Sequence, residues 1–270
     1  MRIQKRDKEL LQLIHRYGLL ESRHIHAKCF RGISPTTMYR RLRKLEKDDY
    51  ICRASGLKDG LAAYYLGKAG ASEIKVDVLA RYTNRNAYEH ELAITDFRMA
   101  MEELGLCQDF LPERQVRKNL QWSRSRGLND QVIPDGVLIE DVNGMPTAIA
   151  LEMELNLKSM RRYKRVLDEY RFMRTTGFVW YVVREDAIKS AVFKALQDVQ
   201  KFEFSPRIIV ASFDEVIRKT AAALIYFDDG TTSTVAEFLG TGNGNEYLHT
   251  TSAEAAQCVS TLETENTVRL

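Results

Sequence analysis

Three carboxylates and one amine occur close together in the middle of the sequence. Asp135 opens one apolar run, and Glu152 and Glu154 lie two residues apart in the next. Lys158 follows four residues later. Side chains two apart on a β-strand point to the same face of the sheet. Residues 141–144 read Asp-Val-Asn-Gly, a composition typical of a hairpin turn. We therefore predict a β-hairpin that presents all four groups to one spot.

This cluster would suit a hard divalent cation and a scissile phosphate. Ionised groups in a half-buried strand cost several kcal/mol unless a counter-ion compensates them. Mg²⁺ and Mn²⁺ take carboxylate oxygens as ligands, so Asp135, Glu152 and Glu154 are candidate metal ligands. A metal there would activate a water for attack on phosphorus, and Lys158 would stabilise the developing charge. The alternative is an exposed acidic face that pairs only with Lys158 and Arg161.

Positive charge is distributed unevenly along the chain. The formal net charge is +3, yet residues 1–50 hold thirteen Lys and Arg against six Asp and Glu. Residues 227–270 hold one Arg against seven Asp and Glu. A strongly basic part of a chain favours a polyanionic partner such as nucleic acid. Arg161 and Arg162, on the helix predicted after the hairpin, would hold a phosphate backbone leading into the site.

The N-terminal part has the pattern of a winged helix-turn-helix. Apolar spacing predicts three helices and then a hairpin, at residues 8–17, 21–30, 35–47 and 50–66. Ser34 and Pro35 supply an N-cap and a first-turn proline for the third helix. In this arrangement the third helix enters the major groove of DNA. Four of its basic residues are predicted to bind DNA: Arg40, Arg41, Arg43 and Lys44.

The rest of the chain alternates between helices and strands. Helices are predicted at 88–104, 157–173 and 185–202, and strands at 111–120, 177–183 and 207–212. This alternation predicts a mixed sheet with helices on both faces, and an α+β chain as a whole. We assign the domains as 1–80, a linker at 81–87, a second domain at 88–239 and a disordered polar tail at 240–270.

The sequence argues against several classes of function. No apolar run approaches the roughly 20 residues that span a bilayer, and the charged N-terminus has no signal-peptide core, so we expect a cytoplasmic protein. The cysteines lack the spacing of a zinc site or a disulfide framework: Cys29, Cys52, Cys107 and Cys258. His24 and His26 are superficially similar to the metal motif of tyrosine relaxases, but residues two apart on a helix face different ways. There is no phosphate-binding glycine loop.

The hairpin motifs resemble a known nuclease superfamily. The strings Ile-Pro-Asp-Gly and Ala-Leu-Glu-Met-Glu, with a lysine beyond them, are similar to the PD-(D/E)xK nucleases. Together with Lys-Ser-Met-Arg-Arg-Tyr-Lys-Arg-Val-Leu-Asp-Glu-Tyr, they resemble the replication-relaxation family over about residues 5–225. That family joins an N-terminal winged helix to a restriction-endonuclease-like domain, and it includes MobC-type plasmid relaxases.

The resemblance implies roles for individual residues. Asp135 and Glu152 would be ligands of Mg²⁺ or Mn²⁺. Glu154 stands where many members of the superfamily have lysine, and it would act as a ligand or a base. Lys158 would supply the positive charge that the lysine at the position of Glu154 supplies in those members. Glu91 is the candidate for one further acid.

The implied function is plasmid mobilisation. The protein would bind double-stranded DNA at an origin of transfer and nick one strand, with single-stranded DNA, a coupling ATPase or accessory transfer proteins as further partners. One alternative is a non-catalytic winged-helix regulator of plasmid transfer or replication, and another is a repair or restriction endonuclease. Tyr163 and Tyr170 lie close enough in sequence to be considered as nucleophiles, and we expect both to be core residues.

Overall fold

The computed structural model describes residues 2–54, 62–77, 85–107, 109–117, 132–142, 145–171, 173, 176–199 and 206–240. The chain divides into two compact units, Met1–Asp96 and Phe97–Leu270. Each unit is built around a sheet of its own. Within the described ranges, no helix has the length and apolar character that crossing a membrane requires.

The first unit combines helices with a small antiparallel sheet. Its elements are α1 (Lys5–Tyr17), β1 (Leu20–Glu21), α2 (Ser22–Cys29), α3 (Pro35–Lys47), β2 (Ile51–Arg53), β3 (Ala63–Leu66), α4 (Lys68–Glu73) and the first part of α5 (Arg85–Glu103). Strand β3 lies between β1 and β2 and is antiparallel to both. Three helices and the hairpin strands are found near their predicted positions, whereas β1 is not predicted. Assignment of this unit as a winged helix-turn-helix stays a prediction.

Helix α3 shows how local sequence sets these elements. The side chain of Ser34 accepts a hydrogen bond from the backbone N–H of Thr37 at 3.4 Å, and Pro35 occupies the first turn. The cap satisfies a free N–H, and the proline fixes a helical φ, so the helix begins here. Its buried face carries three apolar side chains spaced three or four residues apart: Met38, Leu42 and Leu45.

The second unit is a mixed sheet covered by helices. After the remainder of α5, its elements are β4 (Leu111–Pro112), α6 (residues 113–117), β5 (Gly136–Val142), β6 (Met145–Glu154), α7 (Met160–Tyr170), β7 (Phe178–Val183), α8 (Asp186–Gln197), β8 (Arg207–Ser212), α9 (Phe213–Lys219), β9 (Leu224–Phe227), β10 (Thr232–Thr234) and α10 (Val235–Phe238). The seven strands run in the order β10-β9-β8-β7-β6-β5-β4. Strands β6, β7 and β8 are parallel, and the other neighbours are antiparallel. The predicted α+β class with a mixed sheet is confirmed.

The two faces of the large sheet have different cores. On one face, α7 and α8 pack against the strands through Tyr163, Leu167 and Val192. On the other face, Trp180 meets Phe97 edge to face, with ring centroids 5.3 Å apart. The alternation of side chains along β6 and β7 decides which residues join each core. Glu152 and Glu154 therefore lie on the α7 side.

One predicted strand is mostly helical. The strand predicted at 111–120 is limited to β4, because residues 113–117 form α6. Arg117 pairs with Glu113 one turn earlier in this helix, a spacing that stabilises helical structure. Residues 118–120 lie outside the described residues.

The predicted linker differs in part from the structure, and the predicted tail lies almost wholly outside the described residues. Residues 85–87, predicted as the end of a linker, are the first residues of α5. The rest of that linker and the tail from residue 241 lie outside the described residues. The sequence analysis predicts no strand at β9 or β10 and no helix at α10.

Candidate functional site

Asp135 lies at the entrance to β5, beside the carboxylates of β6. The antiparallel register begins with Gly136 opposite Leu151, so Asp135 comes just before the first paired residue. The N–H of Asp135 donates to the carbonyl of Leu151 at 3.0 Å, which ties this residue to β6. Besides the larger effect of burial, the negative charge of Asp135 raises the pKa of Glu154 and of Tyr170, whose hydroxyl binds Glu152. The start of β5 thus brings the Asp135 carboxylate close to Glu152 and Glu154.

The Asp-Gly pair is fitted closely to its surroundings. Oδ2 of Asp135 accepts a hydrogen bond from the backbone N–H of Met153 at 2.8 Å, between the two glutamates of β6. A Cβ atom on Gly136 would come within 2.3 Å of Cζ of Phe110. The aspartate therefore anchors its carboxylate to β6, while the glycine leaves room for an aromatic ring.

Glu154 is buried and forms an ion pair with Lys158. Nζ of Lys158 donates to Oε1 at 3.3 Å and lies 3.0 Å from Oε2, a buried oxygen that accepts no hydrogen bond. Burial raises the pKa of Glu154, the hydrogen bond and charge of Lys158 oppose that rise, and the charge of Asp135 adds to it. Burying a charge is tolerated when an opposite charge is close by. This carboxylate therefore depends on nearby positive charge to stay ionised.

Lys158 lies before the helix rather than on it. The sequence-based helix begins at residue 157, but Ser159 is the N-cap of α7, and its side chain accepts from the N–H of Arg162 at 3.4 Å. The backbone N–H of Lys158 donates to the hydroxyl of Tyr163 at 3.1 Å. The segment between β6 and α7 is therefore held against the first turns of the helix.

Two buried tyrosines place their hydroxyls beside the carboxylates. Tyr170 of α7 is fully buried, and its hydroxyl donates to Oε1 of Glu152. Tyr181 of β7 pairs with Glu152 in the parallel register, and its buried hydroxyl has no hydrogen-bond partner among the described groups. Burial, followed by the negative charge of Glu152, raises the pKa of both phenols well above the ordinary value. Both hydroxyls are therefore neutral at physiological pH.

The sequence does not reveal the position of these hydroxyls. It predicts Tyr163 and Tyr170 as core residues, and they are buried, but their hydroxyl ends reach the site. Their seven-residue spacing, two helical turns, was a usable indication that they share one face. Tyr181 lies in an apolar run, and only the pairing of β6 with β7 brings it to Glu152.

Basic side chains border the acidic cluster. Arg161 and Arg162 lie in the first turn of α7 and are exposed. The positive charge of Arg162 lowers the pKa of Glu154, which shows that it lies within electrostatic range of that carboxylate. The predicted basic side of α7 is thus adjacent to the site.

The basic residues of α3 do not form one exposed set. Arg40, Arg43 and Lys44 are exposed, in agreement with a DNA-binding surface. Arg41 is an exception among the four residues predicted to bind DNA, because its Nε donates to Oδ1 of the fully buried Asp7 at 2.9 Å. Its guanidinium is therefore occupied within the first unit.

Other candidate residues have structural roles or stay predictions. Nε2 of His24 lies 2.7 Å from Oδ1 of Asp96, and Nε2 of His26 lies 2.8 Å from the carbonyl of Ile33. The two histidines therefore have separate partners and form no common site. Glu91 lies on α5 in the first unit, and its role as a further acid stays a prediction.

The carboxylate site fits a hard cation in its donor atoms. Across the described residues, no three Asp, Glu, His or Cys side chains are already arranged to hold a metal. Asp135, Glu152 and Glu154 nevertheless offer the oxygen donors that Mg²⁺ and Mn²⁺ prefer. Oε2 of Glu154 accepts no hydrogen bond but lies 3.0 Å from Nζ of Lys158, so the ammonium already compensates part of its charge. A divalent cation would compensate the remaining negative charge of the three carboxylates together.

Fold and site define an α+β protein with an acidic, tyrosine-backed site on a mixed sheet. Residues 11–182, more than half of the chain, match the replication-relaxation family. The chain belongs to this family, as the hairpin motifs indicate. Membership points to a role in plasmid replication or transfer.

Comparisons with individual proteins add little. No curated protein matches the chain. Two solved chains of the restriction endonuclease FokI, one of them bound to DNA, show 11% and 12% identity with TM-scores of 0.25 and 0.26. The match covers 78% of this chain in each case, but only 43% and 42% of the FokI chains. TM-scores this low do not define a common fold, so nothing about this chain follows from the similarity.

Proposed function

We propose that this chain is a plasmid mobilisation protein that binds double-stranded DNA at an origin of transfer and nicks one strand. The observation that carries the proposal is the hydrogen bond from the N–H of Met153 to the Asp135 carboxylate, which holds that carboxylate beside Glu152 and Glu154 of β6. Family membership supports it, because relaxation of a closed supercoiled plasmid requires a break in at least one strand. On this proposal the second unit is restriction-endonuclease-like.

The carboxylates would hold Mg²⁺ or Mn²⁺ through Asp135, Glu152 and Glu154. A bound cation of this kind supplies an activated water and a Lewis acid. The hydrogen bond from Met153 keeps the Asp135 carboxylate against β6. The ammonium of Lys158, 3.0 Å from Glu154, would stabilise negative charge on the phosphate.

DNA would be held by two basic surfaces. In the first unit, α3 would enter the major groove with Arg40, Arg43 and Lys44 towards the DNA. Arg41 is left out of this role because Asp7 binds it. In the second unit, Arg161 and Arg162 would bind the phosphates next to the scissile bond. Cleavage would thus be coupled to recognition by a separate module of the same chain.

The test is the relaxation of a supercoiled plasmid that carries the cognate origin, in Mg²⁺ or Mn²⁺. Asp135→Asn and Glu152→Gln keep an acceptor oxygen for the hydrogen bonds from Met153 and Tyr170 and remove only the charge. We expect each to lower the nicking rate by about 100-fold or more. Asp186→Asn is the matched control, because this acid of α8 is 90% exposed, and its rate should equal that of the wild type.

Each other outcome selects an alternative. Origin binding without cleavage by the wild type would favour a non-catalytic regulator of plasmid transfer or replication. Linearisation of plasmids that lack the origin would favour a repair or restriction endonuclease.

A further inference from the structure

Helix α7 and strand β6 are joined at the site by a part-buried side-chain hydrogen bond. The hydroxyl of Tyr170 donates to Oε1 of Glu152, and the tyrosine has no exposed surface. Hydrogen bonds from a hydroxyl to a carboxylate are shorter and stronger than those between neutral groups. Water does not reach Tyr170, whereas Glu152 is half-buried. The buried donor therefore defines a preferred position for Oε1 of Glu152.

The donor of this bond is itself rigidly held. Tyr170 shares the core of the second unit with Tyr163 and Leu167, which lie on the same face of α7. The start of α7 is fixed by the Ser159 cap and by the bond between Tyr163 and the backbone of Lys158. The position of the Tyr170 hydroxyl is thus set by helix packing rather than by a mobile loop.

A second tyrosine beside Glu152 makes no hydrogen bond to its carboxylate. Tyr181 pairs with Glu152 across β6 and β7 and is 1% exposed, yet its hydroxyl has no hydrogen-bond partner among the described groups. Two phenols of similar burial therefore lie at the same carboxylate, and the structure assigns the bond to only one of them.

We propose that Tyr170 is a positioning residue, which orients the Glu152 carboxylate for the divalent cation by occupying Oε1. The inference rests on the proposed function, since it supposes that Glu152 is a metal ligand. With Oε1 bound to the tyrosine, rotation of the Glu152 carboxylate is restricted. Groups that orient metal ligands in this way typically change metal affinity by 10–100-fold when they are lost.

The experiment is a Mn²⁺ titration of the full-length chain, followed by electron paramagnetic resonance. Tyr170→Phe keeps the ring and removes only the hydroxyl, and we expect it to weaken Mn²⁺ binding by about 10-fold or more. Tyr181→Phe is the matched control, a buried phenol at the same glutamate that makes no bond, and it should bind within about twofold of the wild type. In plasmid nicking measured over a range of DNA concentrations, Tyr170→Phe should lower kcat and leave KM for DNA unchanged.

A measurement on the wild-type protein tests the proposal without relying on a variant that must fold correctly. The hydroxyl proton of Tyr170 should give a slowly exchanging, downfield proton NMR signal, and Mg²⁺ should shift it because the cation shares the charge of Glu152. The absence of any Mg²⁺-dependent shift in that signal contradicts the proposal.

The outcomes separate this inference from the function on which it rests. If the wild type binds Mn²⁺ and Tyr170→Phe binds it equally well, the positioning role is overturned while the metal site stands. Equal weakening of Mn²⁺ binding by Tyr170→Phe and Tyr181→Phe also overturns it, because disturbed core packing, rather than loss of one hydrogen bond, would then be the cause. If the wild type binds no Mn²⁺, the proposed metal chemistry fails and the inference fails with it.

Discussion

Arg41 of α3 and Asp7 of α1 form an ion pair in the interior of the first unit. Asp7 has no exposed surface, and Nε of Arg41 lies 2.9 Å from its Oδ1. A second contact joins Nη2 of Arg41 to Oδ2. The pair fixes the helix proposed to bind DNA to the first helix of the chain. Arg41 is therefore a structural residue, although it lies between the exposed Arg40 and Arg43.

Loss of the Arg41 side chain should lower the free energy of unfolding of the first unit. Arg41→Ala leaves the Asp7 carboxylate buried without its partner, a change that typically costs about 3–5 kcal/mol. Arg40→Ala, one residue earlier on an exposed position, should change stability by less than about 0.5 kcal/mol. The free energy of unfolding from urea titration of each variant gives the comparison. Equal stability of the two variants contradicts the buried ion pair.

The exposed basic residues of α3 should contribute to the salt dependence of DNA affinity. Each of Arg40→Ala and Lys44→Ala removes one phosphate contact, so the slope of log K against log salt should fall by about 1. Lys219→Ala is the control, because this half-exposed cation lies on α9 and pairs with Glu215. Binding of origin DNA at several salt concentrations, measured by fluorescence anisotropy, gives the slopes. An unchanged slope in both α3 variants argues against α3 as the DNA-binding helix.

The glycine after Asp135 should not tolerate a side chain. A Cβ on Gly136 would lie 2.3 Å from Cζ of Phe110, and forcing extra volume into a packed core costs about 1–3 kcal/mol. Gly136→Ala should therefore be destabilised by about that amount in urea unfolding. Phe110→Leu in the same chain should recover part of the loss, because it shortens the group that clashes. If the loss is the same in both backgrounds, the ring is not its cause.

The hairpin and its carboxylates could be predicted because they depend on local patterns. Alternation along β6 places Glu152 and Glu154 on one face, and the turn composition sets the return of the chain. The start of α3 was likewise predictable from Ser34 and Pro35. Each of these inferences uses residues within about one hairpin or one helix.

The side chains packed around the carboxylates could not be predicted in the same way. The bond between Tyr170 and Glu152 depends on how α7 packs over the sheet, and Tyr181 reaches Glu152 only through the parallel β6–β7 register. The sequence predicts Arg41 as a DNA-binding residue and does not reveal its ion pair, because Asp7 is 34 positions away. Helical periodicity shows which residues share a face, but it does not show what lies opposite that face.

Cys29 should be a slow nucleophile at neutral pH. Burial, with a smaller contribution from the charge of Glu9, raises the pKa of its thiol to about 11. The thiolate is the reactive form, so its fraction at pH 7 should be roughly 100-fold below that of an ordinary cysteine. Alkylation at Cys29 should accelerate as the pH rises towards 11, which peptide mass mapping with iodoacetamide can follow. Equal rates for native and urea-unfolded protein at pH 8 contradict this environment.

The most direct test of the central claim is whether the three carboxylates bind one divalent cation. Isothermal titration calorimetry with Mn²⁺ should show one site per wild-type chain, and Asp135→Asn should weaken it by at least about tenfold. Because asparagine can still accept the hydrogen bond from Met153, the urea unfolding midpoint should stay close to that of the wild type. Loss of affinity with an intact fold is the predicted result. Equal Mn²⁺ affinity in the two proteins, or no binding by the wild type, contradicts the account.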